Sequence, residues 1–445
     1  MASFTVSRHQ FPSDFEFGVA TAAYQIEGSR YGHAGLSHWD TFAATPNNVL
    51  NGDDGSIACD HYHRWPEDLD LIQEGGFNSY RFSTSWARIQ PEGKGSINQQ
   101  GLDFYERLVD GLLTRNLKPY LTLYHWDLPA AFSNLGGWRN PDIVHWFSDY
   151  SQIVMNRLGD RIAATATFNE PWCITWLSHF LGIHAPGLRD IQATTMSIHN
   201  LLRAHGTALQ ALRADGHNNL GIVLNFDYAQ AADESEANRK AADLYDAIFN
   251  RLFIQALTQK SYPTVLLAHL ERYLPKNYQQ DFDTIAQPLD WLGVNYYTRH
   301  VLEAAPNALF PAYQDAQGHL PKTDMGWEIY PEGIYHFLTW LHQNYTAQTP
   351  LYITENGMAA PDKVWEQGVV QDLDRIHYID AHLQQVNRAI EQGAPVKGYF
   401  SWSLMDNFEW AAGYAKRFGL VHVDYETLKR TPKASWYEFK QFLSV

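Results

Sequence analysis

Leu351-Tyr352-Ile353-Thr354-Glu355-Asn356-Gly357 is an apolar, β-leaning run that stops at a carboxylate, with Asn-Gly directly behind it. Such a run predicts a buried strand ending where Glu355 begins the loop, followed by a turn. The design recurs upstream in Ala164-Thr165-Ala166-Thr167-Phe168-Asn169-Glu170-Pro171, where Glu170 ends the run and Pro171 closes it. Two glutamates therefore stand at the C-terminal tips of two predicted strands.

Working outward, eight strand runs can be read, at residues 15–19, 78–83, 118–124, 164–169, 221–226, 291–296, 351–354 and 396–402. Helical stretches alternate with them. One starts with Pro66 at a first helical position and runs to residue 74. In another, Leu102, Tyr105, Leu108, Val109, Leu112 and Leu113 share a helix face. Further stretches lie near residues 143–154, 194–213, 244–253, 334–341, 376–390 and 435–443. Strand alternating with helix predicts a parallel sheet with right-handed crossovers. Eight such units predict a closed (β/α)8 TIM barrel in the α/β class, with its site among the loops at the strand C-termini. An open doubly wound sheet is the alternative, but no Gly-x-Gly-x-x-Gly follows the first strand. With no compositional break, residues 1–445 read as a single barrel domain, its excess length in long loops at 28–55, 172–191 and 303–330.

Composition narrows the function classes. A net charge of -16 argues against nucleic acid or an anionic membrane as partner, since both select a basic face. No run of about 18 apolar residues predicts a membrane span. The start of the chain has no apolar signal region, and two cysteines, Cys59 and Cys173, suit a reducing compartment, so a cytoplasmic protein is expected. Fifteen tryptophans fit either core packing or sugar-stacking platforms. Asp60-His61-Tyr62-His63 raises a metal site, but two histidines at i and i+2 do not share a helix face, so no metal and no cofactor is expected. Asn344-Tyr345-Thr346 is read as a chance glycosylation sequon.

In a barrel of this order Glu170 ends strand four and Glu355 ends strand seven, facing each other across one mouth. A carboxylate pair is what glycosidic cleavage requires: one protonated to assist the leaving oxygen, the other ionised. A separation of about 5–5.5 Å gives retention, and about 6.5–9.5 Å inversion. Either glutamate alone reads as well as an ordinary loop carboxylate paired with arginine; both at matching strand ends do not.

Thr167-Phe168-Asn169-Glu170-Pro171 and Ile353-Thr354-Glu355-Asn356-Gly357 resemble the acid/base and nucleophile motifs of glycoside hydrolase family 1, the β-glucosidase family. The resemblance spans almost the whole chain. It includes Ala20 to Gly28, Tyr80-Arg81-Phe82-Ser83, His125-Trp126-Asp127-Leu128-Pro129, Gly293-Val294-Asn295-Tyr296-Tyr297 and Ser401 to Trp410. It implies a retaining β-glycosidase, chiefly a β-glucosidase acting on small β-glycosides such as short oligosaccharides or aryl glucosides, as in cellulose degradation. Side activity on β-galactosides and β-fucosides is expected. Glu355 would be the nucleophile and Glu170 the acid that turns base, with Arg81, Asn169 and Tyr297 in support. Gln25, His125, Trp126, Asn169, Asn295, Tyr297, Glu409, Trp410 and Phe418 would line the sugar pocket, Trp402 its stacking floor. Trp327 resembles an aglycone platform; Trp176, His179 and Phe180 are further aromatic candidates. Relatives that take 6-phosphorylated sugars resemble one another in a Ser, a Lys and a Tyr where this chain has Trp410, Lys416 and Phe418, so an unmodified glycone is expected. A non-catalytic carbohydrate-binding protein and a transglycosylase are the competing readings, and homo-oligomer formation is left open.

Overall fold

The computed structural model describes residues 3–444. All eight predicted runs form strands: β1 (Glu16–Ala20), β2 (Ser79–Ser83), β3 (Lys118–Tyr124), β4 (Ala164–Asn169), β5 (Leu220–Ala231), β6 (Trp291–Ala304), β7 (Leu351–Asn356) and β8 (Val396–Trp402). Each pairs in parallel with its neighbours, and β8 pairs back onto β1 with Trp402 opposite Ala20, which closes the barrel and rules out an open sheet. Helices α1 (His61–Glu74), α2 (Gln99–Thr114), α3 (Ile143–Leu158), α4 (Ile191–Ala214), α5 (Glu236–Asp246), α6 (Glu332–Leu341) and α7 (Leu373–Glu391) fall between successive strands, and α8 (Ala434–Leu443) follows the last. Among the described residues no helix is long and apolar enough to cross a membrane.

The barrel interior is filled by rings. Tyr120 of β3 packs on Phe400 of β8 at 4.9 Å between centroids, and Trp291 of β6 on Tyr352 of β7 at 5.7 Å. This aromatic layer is a floor, above which the strand C-termini present polar side chains to the mouth. The tryptophans divide in the same way: Trp39, Trp86, Trp138, Trp176 and Trp436 are core, while Trp126, Trp327, Trp402 and Trp410 gather at the mouth.

Several boundaries differ from the sequence reading. Strand β7 does not stop before Glu355 but runs through Asn356. The Asn356 amide donates to the Tyr296 carbonyl on one side and accepts from the Tyr399 hydroxyl on the other, which keeps the strand paired. Gly357 serves close approach: a Cβ there would lie 1.9 Å from the Trp402 carbonyl oxygen. Pro66 is not the first residue of its helix. Helix α1 begins at His61, and Pro66 forgoes only the bond its missing N–H would have made to the carbonyl of residue 62. Leu113 is 41% exposed, turned past the edge of the buried stripe of α2. The loops are also more structured than expected. Residues 38–43 are helical, 313–315 add an antiparallel strand to β6, and Cys173–Phe180 form a π-helix.

Strands β5 and β6 extend past the mouth as a paired arm, with Ala229 opposite His300. On that arm His300 lies 3.4 Å from Asp227 and 2.9 Å from Asp315. Burial alone would lower its pKa, but the two aspartates raise it to about 10. A pKa raised on folding stabilises fully below the unfolded value of about 6.5, and the gain disappears as pH climbs to about 10. His300→Gln is therefore expected to cost on the order of 2 kcal/mol at pH 6 and little near pH 10, read from denaturant midpoints at both pH values.

Candidate active site

The mouth of the barrel holds three buried carboxyls and one guanidinium. On β2, Arg81 donates through Nη1 to Glu355 Oε1 at 2.7 Å and through Nη2 to the Asn169 side-chain oxygen at 2.7 Å. The Tyr297 hydroxyl donates to Glu355 Oε2 at 2.7 Å. Both oxygens of Glu355 are thus held, one by a full charge. Glu170 is held by neutral groups: Asn295 Nδ2 donates to Oε1 at 2.6 Å, and the Cys173 thiol reaches Oε2 at 2.9 Å. Burial first, then the Glu355 charge, push the Glu170 carboxyl up to about 8. Burial pushes Glu355 up as well, while Arg81 and the Tyr297 hydroxyl pull it back. The two carboxyls are unequal because their partners are, and the charge rests on Glu355.

The amides between them are fixed by their networks. Asn295 accepts from the Thr354 hydroxyl at 2.7 Å and so turns its NH2 toward Glu170 and the Asn169 oxygen. With that oxygen also taken by Arg81, Asn169 presents its own NH2 to His125 Nε2 at 3.1 Å. His125 Nε2 is then the acceptor and Nδ1 carries the proton. Burial, then Arg81, hold its pKa well below the ordinary value, so the ring is neutral. Asn295, expected among the sugar-binding residues, spends its amide on Asn169, Glu170 and Thr354 and so holds the Glu170 carboxyl in place.

Around this centre, Gln25 Oε1, His125 Nδ1 and Glu409 Oε2 are buried with no hydrogen-bond partner in the protein. Gln25 is oriented by donating to Asn407 Oδ1 at 3.0 Å and to the Phe408 carbonyl at 2.9 Å. Glu409 is pushed up to about 8 by burial and by the charges of Glu355 and Glu170. Buried polar atoms left unpaired are costly, and hydroxyl groups, which both donate and accept, satisfy all three. Trp402 and Trp410 lie at 5.8 and 6.0 Å from the His125 ring, nearly parallel to it. Trp126 donates to the Asn169 carbonyl at 2.9 Å. Glu170, Trp126 and Trp410 all have positive φ, at 51°, 77° and 50°. Such backbone costs about 1–3 kcal/mol per residue and survives only where packing enforces it.

A sequence profile of glycosyl hydrolase family 1 matches residues 7–445. This chain belongs to glycosyl hydrolase family 1. It is 48% identical to a 1,4-beta-D-glucan glucohydrolase of Thermotoga neapolitana over 98% of each chain. It is 42% identical to a bifunctional beta-D-glucosidase/beta-D-fucosidase of Bifidobacterium breve, again over 98% of each. The structure of a family 1 β-glucosidase from Thermotoga maritima superposes with a TM-score of 0.95 at 47% identity, covering 98% of both chains.

Two further features of the mouth bear on what it can bind. Lys416, the lysine that resembles the phosphate-gripping one of relatives taking 6-phosphorylated sugars, is 3.0 Å from Asp324 Oδ2 and its charge is already matched. Trp410 and Phe418 are buried beside it and offer an anion no oxygen-bearing side chain. Trp327 is half-buried, 5.5 Å from the Tyr297 ring and 6.1 Å from Phe418. Trp176 and His179, by contrast, are buried in the wall, His179 donating to the Ile174 carbonyl at 3.0 Å, while Phe180 packs on Trp176 and Phe310. Of these aromatic candidates, Trp327 alone flanks Tyr297, the tyrosine bonded to Glu355. The motif at residues 60–63 is spent on structure: His61 pairs with Asp68 and His63 with Asp60. Asn344 lies within a helical turn, its amide donating to the Trp340 carbonyl at 2.8 Å.

The contact between Cys173 and Glu170 was not legible in the sequence, which suggested only a small buried residue. Its signal was positional: a polarisable side chain three residues after a carboxylate, within reach across a tight turn.

Proposed function

We propose that the protein is a retaining β-glucosidase that removes terminal, non-reducing β-D-glucosyl residues from short oligosaccharides and aryl glucosides. The unequal partnering of the two carboxyls carries this reading. Glu355, ionised beside Arg81, attacks the anomeric carbon while Glu170 delivers its proton to the leaving oxygen. The glycosyl-enzyme ester removes the Glu355 charge, the main electrostatic reason for Glu170 to hold a proton, so Glu170 ionises and takes a proton from the incoming water. Collapse onto water returns the β-configured sugar. Asn169 faces the 2-hydroxyl; Gln25, His125, Trp126, Glu409 and Trp410 take the other hydroxyls; Trp402 supports the ring face; Trp327 meets the aglycone. The same acceptors suit an axial or equatorial 4-hydroxyl, so galactosides and fucosides are secondary substrates. The glucan-directed name of the Thermotoga neapolitana relative supports a place late in cellulose breakdown, and two buried free cysteines favour a cytoplasmic setting. One barrel from end to end forms the catalytic unit.

The test is aglycone release from matched nitrophenyl β-glucoside, β-galactoside and 6-phospho-β-glucoside. Fast release from the unphosphorylated pair, the glucoside foremost, is expected. Release from the phosphorylated sugar alone would overturn the pocket assignment, and silence on all three would favour a binding protein. The pH profile is a second check. Since kcat/KM reports the free enzyme, its alkaline limb is expected at about 8, where Glu170 loses its proton.

A further inference from the structure

We propose that Cys173 is a positioning residue for the proton donor, holding Oε2 of Glu170 in both protonation states the reaction passes through. This rests on the reading of Glu170 as acid and base. Asn295 can only donate to Oε1, because its amide oxygen is taken by Thr354. The mobile proton is therefore left to Oε2, the oxygen 2.9 Å from the Cys173 sulfur. A thiol is both a weak donor and a weak acceptor. It accepts from the neutral acid and donates to the carboxylate, so the carboxyl keeps its orientation as the proton leaves and returns.

The backbone enforces the contact. Glu170 sits in the left-handed region, the first turn of the following helix bends back, and the Cys173 N–H donates to the Glu170 carbonyl at 3.0 Å. Asn225 of β5 backs the sulfur, its Nδ2 3.8 Å away. The weakness of the thiol is the useful property. A hydroxyl in its place would grip the carboxylate and favour its charge before substrate arrives; an alkyl group would hold neither form. Burial and the neighbouring Glu170 push the thiol's own pKa well up, so it does not ionise. The charged and titratable groups facing Glu170 are Arg81 from β2, Tyr297 from β6, Glu355 from β7 and Glu409 from the loop after β8, with Asp227 of β5 beyond the sulfur. None of them changes when residue 173 is replaced.

Cys173→Val and Cys173→Ser separate tuning from packing. kcat/KM is followed against pH on methyl β-glucoside, whose leaving group needs the proton, and on dinitrophenyl β-glucoside, whose leaving group does not. The valine variant is expected to lose roughly three- to tenfold on the methyl glucoside and little on the activated one, with its alkaline limb moved to higher pH. The serine variant is expected to keep its rate and move the limb to lower pH. Equal losses on both substrates with the limb unmoved would show a packing role and overturn the inference. If the valine variant does not fold, the direction of the serine shift decides alone, an unmoved or raised limb counting against. Glu170→Ala is the reference: it is expected to lose far more on the methyl glucoside than on the activated one. Equal loss there would overturn the assignment of Glu170 itself, whatever Cys173 does.

Discussion

Glu355→Gly is expected to abolish hydrolysis, with a fall in kcat on the order of 10⁵-fold, and added azide is expected to restore turnover as an α-glycosyl azide. The carboxylate that attacks is gone, but Arg81, Tyr297, Asn169 and Glu170 remain around the space it filled. A small anion there meets the Arg81 guanidinium and attacks the anomeric carbon from the nucleophile's side. One inversion, in place of two, gives the α product. The same substitution removes the Glu355 charge that helps to push Glu170 up, so the alkaline limb of the azide reaction is expected below the native value of about 8. Undiminished hydrolysis, or a β-azide, would overturn the role of Glu355. The melting temperature, measured alongside, separates lost chemistry from the cost of leaving a buried guanidinium without its carboxylate.

Lys433→Met is expected to destabilise the protein by about 3–5 kcal/mol without touching the chemistry directly. Lys433 is fully buried and sits between two aspartates, with its Nζ 2.7 Å from Asp406 Oδ1 and also bonded to Asp362. Arg417 reaches the other Asp406 oxygen at 2.6 Å, and Arg375 pairs with Asp362 and Asp372. Three acids and three bases balance, and removing one base strands a negative charge in low dielectric. The network also has a place in the site. Asp406 accepts from the Gly419 N–H at 3.0 Å, closing the base of the loop that carries Glu409 and Trp410. Thermal unfolding is expected at a markedly lower temperature, with KM for the glucoside rising more than kcat falls. An unchanged melting temperature would mean that the charges relax or admit water, and that the network does not hold the loop.

The sequence by itself determined the architecture and singled out Glu170 and Glu355 as a facing pair of carboxyls. Eight β-leaning runs alternating with apolar stripes at helical spacing leave few ways to bury every stripe, and a barrel is the one that places Glu170 and Glu355 in one mouth. Local pattern carries that information because strand and helix periodicities are properties of neighbouring residues. Arg81, Tyr297 and the glycone residues came from motif resemblance, which transmits identities and no geometry.

Only the tertiary structure decided how those identities are used. Thr354, Asn169 and Glu170 together consume the amide of Asn295, and these four residues meet only through closure of the barrel. Glu170 and Glu355 are both glutamates after apolar runs, and local pattern does not tell them apart; only the family resemblance assigned them different proton affinities. Burial, one guanidinium on β2 and one thiol a helical turn away set them apart. The left-handed backbone at Glu170, Trp126 and Trp410 was equally invisible, since no glycine marks it: packing in the assembled mouth imposes it. The pairing of Lys416 with Asp324, from a different loop, likewise has no sign in the sequence. Each of these is a long-range pairing, and a pairing between distant residues exists only once the barrel has closed.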